Sequence, residues 1–144
     1  MEQLIAEHAG LGAAEEALRA EVRAARQQGI VGLKSIAAYR GGLHVAPRTH
    51  AEAAAAYARL RELVARDGRV RLSDRALLDY LLRAALEEAA VLELPVQFHV
   101  AFGDDDADLR SANPLQLRAL LTDPAFRSVP FVLLHCYPYV REAG

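Results

Sequence analysis

Apolar residues spaced three and four apart alternate along this chain with short unbroken apolar runs, and the two periods predict alternating helices and strands. Leu4, Ile5, His8 and Leu11, then Leu18, Val22 and Ala25, predict a helix over residues 2–28, with Gly10 and Gly12 as points where it can break near its start. Gly29 stops it, and the run IVGLKSIAAY predicts a buried strand beginning at Ile30. RGGLHVAPR reads as a glycine-rich loop closed by Pro47. Thr49 and Glu52 have the spacing of a capping box for an alanine-rich helix that runs to about Arg66. After the turn DGRVRL, Ser73 is expected to cap the helix DRALLDYLLRAALEEAAVLE, whose Leu77, Leu78, Leu81, Leu82 and Leu86 form one apolar face. Pro95 marks the next boundary, ahead of a strand over Val96–Ala101 and the loop GDDDADLRSA. Asn113 and Pro114 suit the cap and first turn of a short helix, PLQLRALLTD, and PFVLLHCY, from Pro130, is a third strand. Helices interleaved with apolar strands predict an α/β fold with a parallel sheet and right-handed crossovers. No repeat, low-complexity tract or linker divides the chain, so residues 1–144 read as one domain.

The strands carry chemistry at their ends. Side chains alternate along a strand, so Gln97, His99 and Ala101 are expected on one face and Val96, Phe98 and Val100 on the other. The same rule groups Phe131, Leu133 and His135 on the third strand, and Gly32, Lys34 and Ile36 on the first. Each strand thus has one ionisable group near its C-terminal end, the edge at which parallel sheets bind ligands. A single strand-end histidine is ordinarily a hydrogen-bonded structural residue, and a lysine there can reach out to solvent. Three such groups at matching positions on three strands point instead to a functional site, because isolated polar groups in apolar strands are costly.

The remaining candidates are weaker. Asp104, Asp105 and Asp106 read as a solvated loop in which Asp104, nearest the strand end, can orient a ligand. Cys136 reads as a packed thiol, and His8 as structural on the apolar side of its helix. His44 and His50 have no ligand-like spacing.

Composition narrows the function class. The 144 residues are 53% hydrophobic and 25% charged with a formal net charge of −2, a globular balance with no basic stripe for nucleic acid. No apolar run approaches the roughly 20 residues that span a bilayer, and Met1-Glu2-Gln3 does not open a signal peptide. One cysteine excludes an intramolecular disulfide and fits a reducing cytoplasm.

The segments GLKSIAAYRGGL, QFHVAFGDDDADLRSANPLQL and VLLHCYPYVREAG resemble, in order, segments of the amidohydrolase superfamily. The branch they are most similar to is the amidohydrolase-related TIM-barrel proteins, some of them fused to a glutamine-synthetase-like domain. The resemblance spans residues 25–144 and implies that the three strands are the fourth, fifth and sixth of a (β/α)8 barrel, here a partial one. It implies a divalent metal, zinc in most members, with His99 as a metal ligand and His135 as either a second ligand or a catalytic acid/base. Lys34 matches a lysine that is carboxylated in some members and contacts substrate in others. Arg40, Asp104 and Tyr137, at or after the strand ends, are assigned as substrate contacts. The implied activity is hydrolysis of a C–N or related bond in a small molecule. The alternatives are a non-oxidative decarboxylase on the same barrel, or a non-catalytic remnant that self-associates through open sheet edges, a homo-oligomer in that case.

The sequence also departs from the family pattern. No two histidines are separated by one residue, so the family's first-strand His-x-His pair is missing, and Val100 and Ala101 stand where "TG" is more typical. A closed barrel takes about 250 residues, so 144 residues can form only part of one. This chain by itself is therefore expected to be inactive or incomplete.

Overall fold

The computed structural model describes residues 1–68, 70–103, 105 and 107–141. The expected first helix is two: α1 (Glu2–Glu7) and α2 (Leu11–Ala25), with Gly10 as the extended N-cap of the second. The first strand is much shorter than its apolar run: β1 is Leu33–Ser35, and Ala37–Tyr39 form a 3-10 turn. Helix α3 (His50–Asp67) begins with the capping box foreseen, the Thr49 hydroxyl accepting from Glu52 N and the Glu52 carboxylate accepting from Thr49 N at 2.8 Å. Helix α4 (Arg75–Leu92) is capped by Asp74, not Ser73; its carboxylate accepts from Ala76 N at 3.0 Å. The shift costs the sequence reading one residue and leaves the apolar face unchanged. β2 (Val96–His99) follows, then a 3-10 turn at Pro114–Leu117 capped by Asn113, the single turn α5 (Arg118–Leu121), and β3 (Phe131–Leu134).

The three strands form one parallel sheet in the order β1-β2-β3. Register decides which side chains share a face. Leu33 pairs with Val96 and Ser35 with Phe98, while Val96 pairs with Phe131 and Phe98 with Leu133. Residues paired across parallel strands point the same way, so these six look onto the helices. There Val96 and Phe98 are buried, and the Phe98 and Phe131 rings meet at 5.9 Å. The other face carries Lys34, Gln97, His99, Val132 and Leu134. The grouping expected of Phe131 and Leu133 holds: both pack on the helix-side core, on the face opposite His99.

Helices α2, α3 and α4 cover the first face. Arg19 of α2 reaches Glu87 of α4 at 2.7 Å and Glu88 at 3.3 Å, and the Tyr80 hydroxyl donates to Glu15 at 2.8 Å. Burial, and then that bond to a carboxylate, push the Tyr80 hydroxyl up to about 12. Asp79, fully buried on α4, pairs with Arg75 one turn earlier in the helix and with Arg48 at 3.1 Å, and accepts from Ala46 N at 3.4 Å. Arg75 also donates to the carbonyls of Gly42 (2.9 Å) and His44. One buried carboxylate thereby ties the loop that follows β1 to the helix beneath it.

Candidate functional site

His99 is the last residue of β2 and is buried. Its face is the one the helices leave uncovered, and its neighbours come from all three strand ends. The Tyr39 hydroxyl, from the turn after β1, lies 2.9 Å from His99 Nε2 and 3.4 Å from Nδ1, with ring centroids 4.5 Å apart. The His135 ring, after β3, is also 4.5 Å from that of His99, tilted by 52°. The carbonyl of Phe102 lies 2.9 Å from His99 Nε2. A carbonyl can only accept, so this contact puts the ring hydrogen on Nε2.

Backbone geometry delivers His135 to this position. By alternation it would follow Phe131 and Leu133 onto the helix side, since Leu134 is the residue level with His99. Instead β3 ends at Leu134, and His135 and Cys136 both adopt left-handed conformations, with φ of 78° and 59°. Few non-glycine residues do so, histidine more readily than most. The reversal swings the imidazole round to meet His99, so the convergence expected of the two histidines is present, but by a route that strand alternation does not supply. β2 ends in the same manner: Ala101, fully buried, has φ 67° and donates from its N to Ala112 O at 2.8 Å. Strained residues at two adjacent strand ends mark a place where the surrounding structure holds the chain against its preference.

The loops after β2 and β3 are joined above the histidines. Phe102 N donates to Tyr137 O at 3.2 Å, and the two aromatic rings stack at 5.9 Å. Gly103 then passes so close that a Cβ there would sit 2.6 Å from Tyr39 Cζ and 2.8 Å from His99 Nε2. No side chain fits.

The other expected site residues lie elsewhere. Lys34 is exposed and level with Gln97, hence on the His99 face but two residues short of it. With Glu2, Arg40 and Gln28 it lines a cavity of about 730 Å³ that runs along the free edge of β1 between α2 and α4. Arg40 is engaged there with Glu2 at 2.9 Å. Burial would raise the Glu2 carboxyl, but the bond from Leu72 N and the Arg40 guanidinium outweigh it and hold the group below its ordinary value. Tyr137 is mostly exposed and stacked on Phe102. Asp104 lies outside the described residues. Cys136 is a half-buried free thiol whose Sγ approaches Leu133 O at 3.6 Å. His8 caps α1 at its C-terminal end, its carbonyl accepting from the Tyr57 hydroxyl at 2.7 Å. Sequence reasoning missed Tyr39, Phe102 and Gly103. Its one available signal was a hydroxyl-bearing aromatic at the polar end of the first apolar run.

Two neighbouring imidazoles are donors that suit a divalent metal. They are part of a site rather than the whole of one, since among the described residues no group of three or more His, Cys, Asp or Glu could hold a metal ion. No helix among them is long and apolar enough to cross a membrane.

Known proteins share the fold. A crystal structure from Lactobacillus casei ATCC 334, whose name proposes a metal-dependent hydrolase, superposes on 99% of this chain with a TM-score of 0.88 and 41% identity. The fold is thus α/β and part of a (β/α)8 barrel. Protein fluG of Emericella nidulans is 36% identical over an alignment of 124 positions that covers 80% of this chain. The chain spans 37% of the first relative's length and 14% of the second's. The amidohydrolase family profile matches residues 6–142, and the chain accordingly belongs to the amidohydrolase family.

Proposed function

We propose that this chain is the part of a divalent-metal-dependent hydrolase that contributes His99 and His135, acting on a C–N or related bond of a small molecule with zinc as the metal. The observation that carries the reading is the packing of the two imidazoles at the C-terminal ends of adjacent parallel strands, where barrel enzymes build their sites. When bound, such a metal polarises the scissile carbonyl and lowers the pKa of a water. His99, buried and locked by its neighbours, suits a fixed ligand. His135 is exposed, on a turn, and suits a group that both approaches a metal and exchanges protons with substrate. Tyr137 stands as a substrate contact beside this edge, and Lys34 and Arg40 as contacts only for a substrate that extends into the cavity beside β1, Arg40 only if it exchanges Glu2 for a substrate carboxylate. Residues 1–144 act as one barrel-derived domain in this proposal, and the single free cysteine favours a cytoplasmic setting. The free edges of β1 and β3 favour self-association.

Zinc sites of high affinity take three or four protein ligands, so binding to this chain by itself is expected to be weak. Calorimetric zinc titration of the wild type, His99→Ala and His135→Ala tests the assignment. Loss of binding in His99→Ala and a smaller loss in His135→Ala are expected; undiminished zinc binding in His99→Ala would show that the histidine is structural. Assay against amides beside aromatic and enoic acids separates hydrolysis from decarboxylation.

A further inference from the structure

We propose that Tyr39 is a positioning residue for His99, acting through its hydroxyl, and that Gly103 is needed because its missing side chain lets that hydroxyl reach the imidazole. The consequence for metal binding rests on the reading of His99 as a ligand; the positioning itself does not.

Tyr39 is held so that it can do this. It closes the 3-10 turn directly after β1, its N donating to Ile36 O at 3.0 Å and its carbonyl accepting from Arg71 at 3.2 Å. The preceding Ala37 and Ala38 are buried, which leaves the turn little freedom. The side chain crosses to β2 and places its hydroxyl within reach of both nitrogens of His99. A histidine ring has a broad, roughly two-fold preference about its outer torsion, so burial alone does not choose between ring orientations. The Phe102 carbonyl and the Tyr39 hydroxyl do choose, because both meet the ring at Nε2 and the flipped ring would present carbon there. Of the two, only the hydroxyl can be removed without touching the backbone.

The orientation of a ligand histidine is ordinarily fixed by such a partner, whose loss costs about 10–100-fold in metal affinity. Packing is a separate matter: Tyr39→Phe keeps the ring that lies against His99 and deletes only the oxygen. If Tyr39 were a mere filler, that variant would change nothing at His99.

The test reads the imidazole directly. In the ¹⁵N-labelled 144-residue chain, the His99 ring signals are identified by their absence from His99→Ala. The wild type should show one tautomer, with hydrogen on Nε2. Tyr39→Phe should keep that tautomer, which the Phe102 carbonyl still holds, but shift and broaden the His99 ring signals as the ring loses one of its two contacts at Nε2, with backbone amide signals distant from the site unmoved. Gly103→Ala approaches the same contact from the other side and should give the same change. Zinc dissociation constants should rise about 10–100-fold in both variants. His99 ring signals identical to the wild type in Tyr39→Phe overturn the proposal, as do identical signals in Gly103→Ala if Tyr39→Phe fails to fold. The arms are separable: full zinc binding in His99→Ala refutes the ligand reading while the ring signals still decide on Tyr39. Zinc loss in His99→Ala with wild-type behaviour in Tyr39→Phe refutes the positioning role alone.

Discussion

The two faces of the sheet are built from the same three strands and have opposite characters. On the helix side Phe98 is wholly buried and Val96 nearly so, and Phe131 and Leu133 pack on the same core. On the other side Lys34 and Gln97 are exposed and Val132 is 39% exposed. Only at the end of β2 does this second face become buried, where His99 is enclosed by Tyr39, Phe102 and His135. Cohesion therefore resides in one face, and the chemistry in the last residue of the other. Parallel sheets normally have both faces covered. Among the described residues, the face that a closed barrel would turn to its interior is buried at the candidate site and exposed at Lys34, Gln97 and Val132.

Substitutions on the two faces should differ accordingly. The largest losses, about 3–5 kcal/mol each, are expected for Phe98→Ala, which empties the centre of the helix-facing core, and for Asp79→Ala, which leaves Arg75 and Arg48 facing a vacated carboxylate site. Burial already depresses the Arg75 guanidinium despite the neighbouring Asp79, so losing the carboxylate worsens an arrangement with little reserve. Gln97→Ala, one residue from Phe98 but on the other face, should stay within about 0.5 kcal/mol of wild type. Urea unfolding of the three variants measures the contrast, and equal costs for Phe98→Ala and Gln97→Ala would break it.

The smallest effect concerns pH. Asp123 accepts from Arg83 of α4 at 2.7 Å, and that bond, then the one from Ala125 N, hold its carboxyl below the ordinary 3.8. A depressed folded value means that the contribution is fully present above 3.8 and is lost as pH falls through the lower folded value. Asp123→Asn should therefore lower the urea midpoint slightly at neutral pH, with the gap closing in strong acid. A gap that stays constant from pH 7 to pH 2 would show that the ion pair between the helix layer and the approach to β3 is without linkage to folding.

Much of this molecule was legible in its sequence, for identifiable reasons. Periodicity located every helix of the covering layer, since the apolar stripe of α4 and the capping box of α3 are local signals that packing only confirms. The parallel order of three strands followed from the helices between them. Strand lengths were overestimated because apolar runs such as IVGLKSIAAY extend past the paired residues, and pairing is a property of the neighbour strand. Ser73 and Asp74 are both good caps, and the sequence offered no means of choosing between them.

The sequence by itself determined that His99 and His135 close apolar runs at the same edge of a parallel sheet, because composition and spacing carry that information. It did not determine which face His135 takes. Alternation sends Phe131 and Leu133 to the helices, and His135 would follow them but for the left-handed turn that starts at its own φ. That turn has no strong local signature: histidine tolerates the left-handed region better than most residues but does not require it, and the turn is accompanied by a bond between the loops after β2 and β3, from Phe102 to Tyr137. The Tyr39 contact is likewise tertiary, depending on a glycine 64 positions away that leaves room for a hydroxyl. Local preference fixed the elements and their order. Contacts between distant loops fixed where the reactive side chains point, because those contacts can impose backbone conformations that no residue chooses alone.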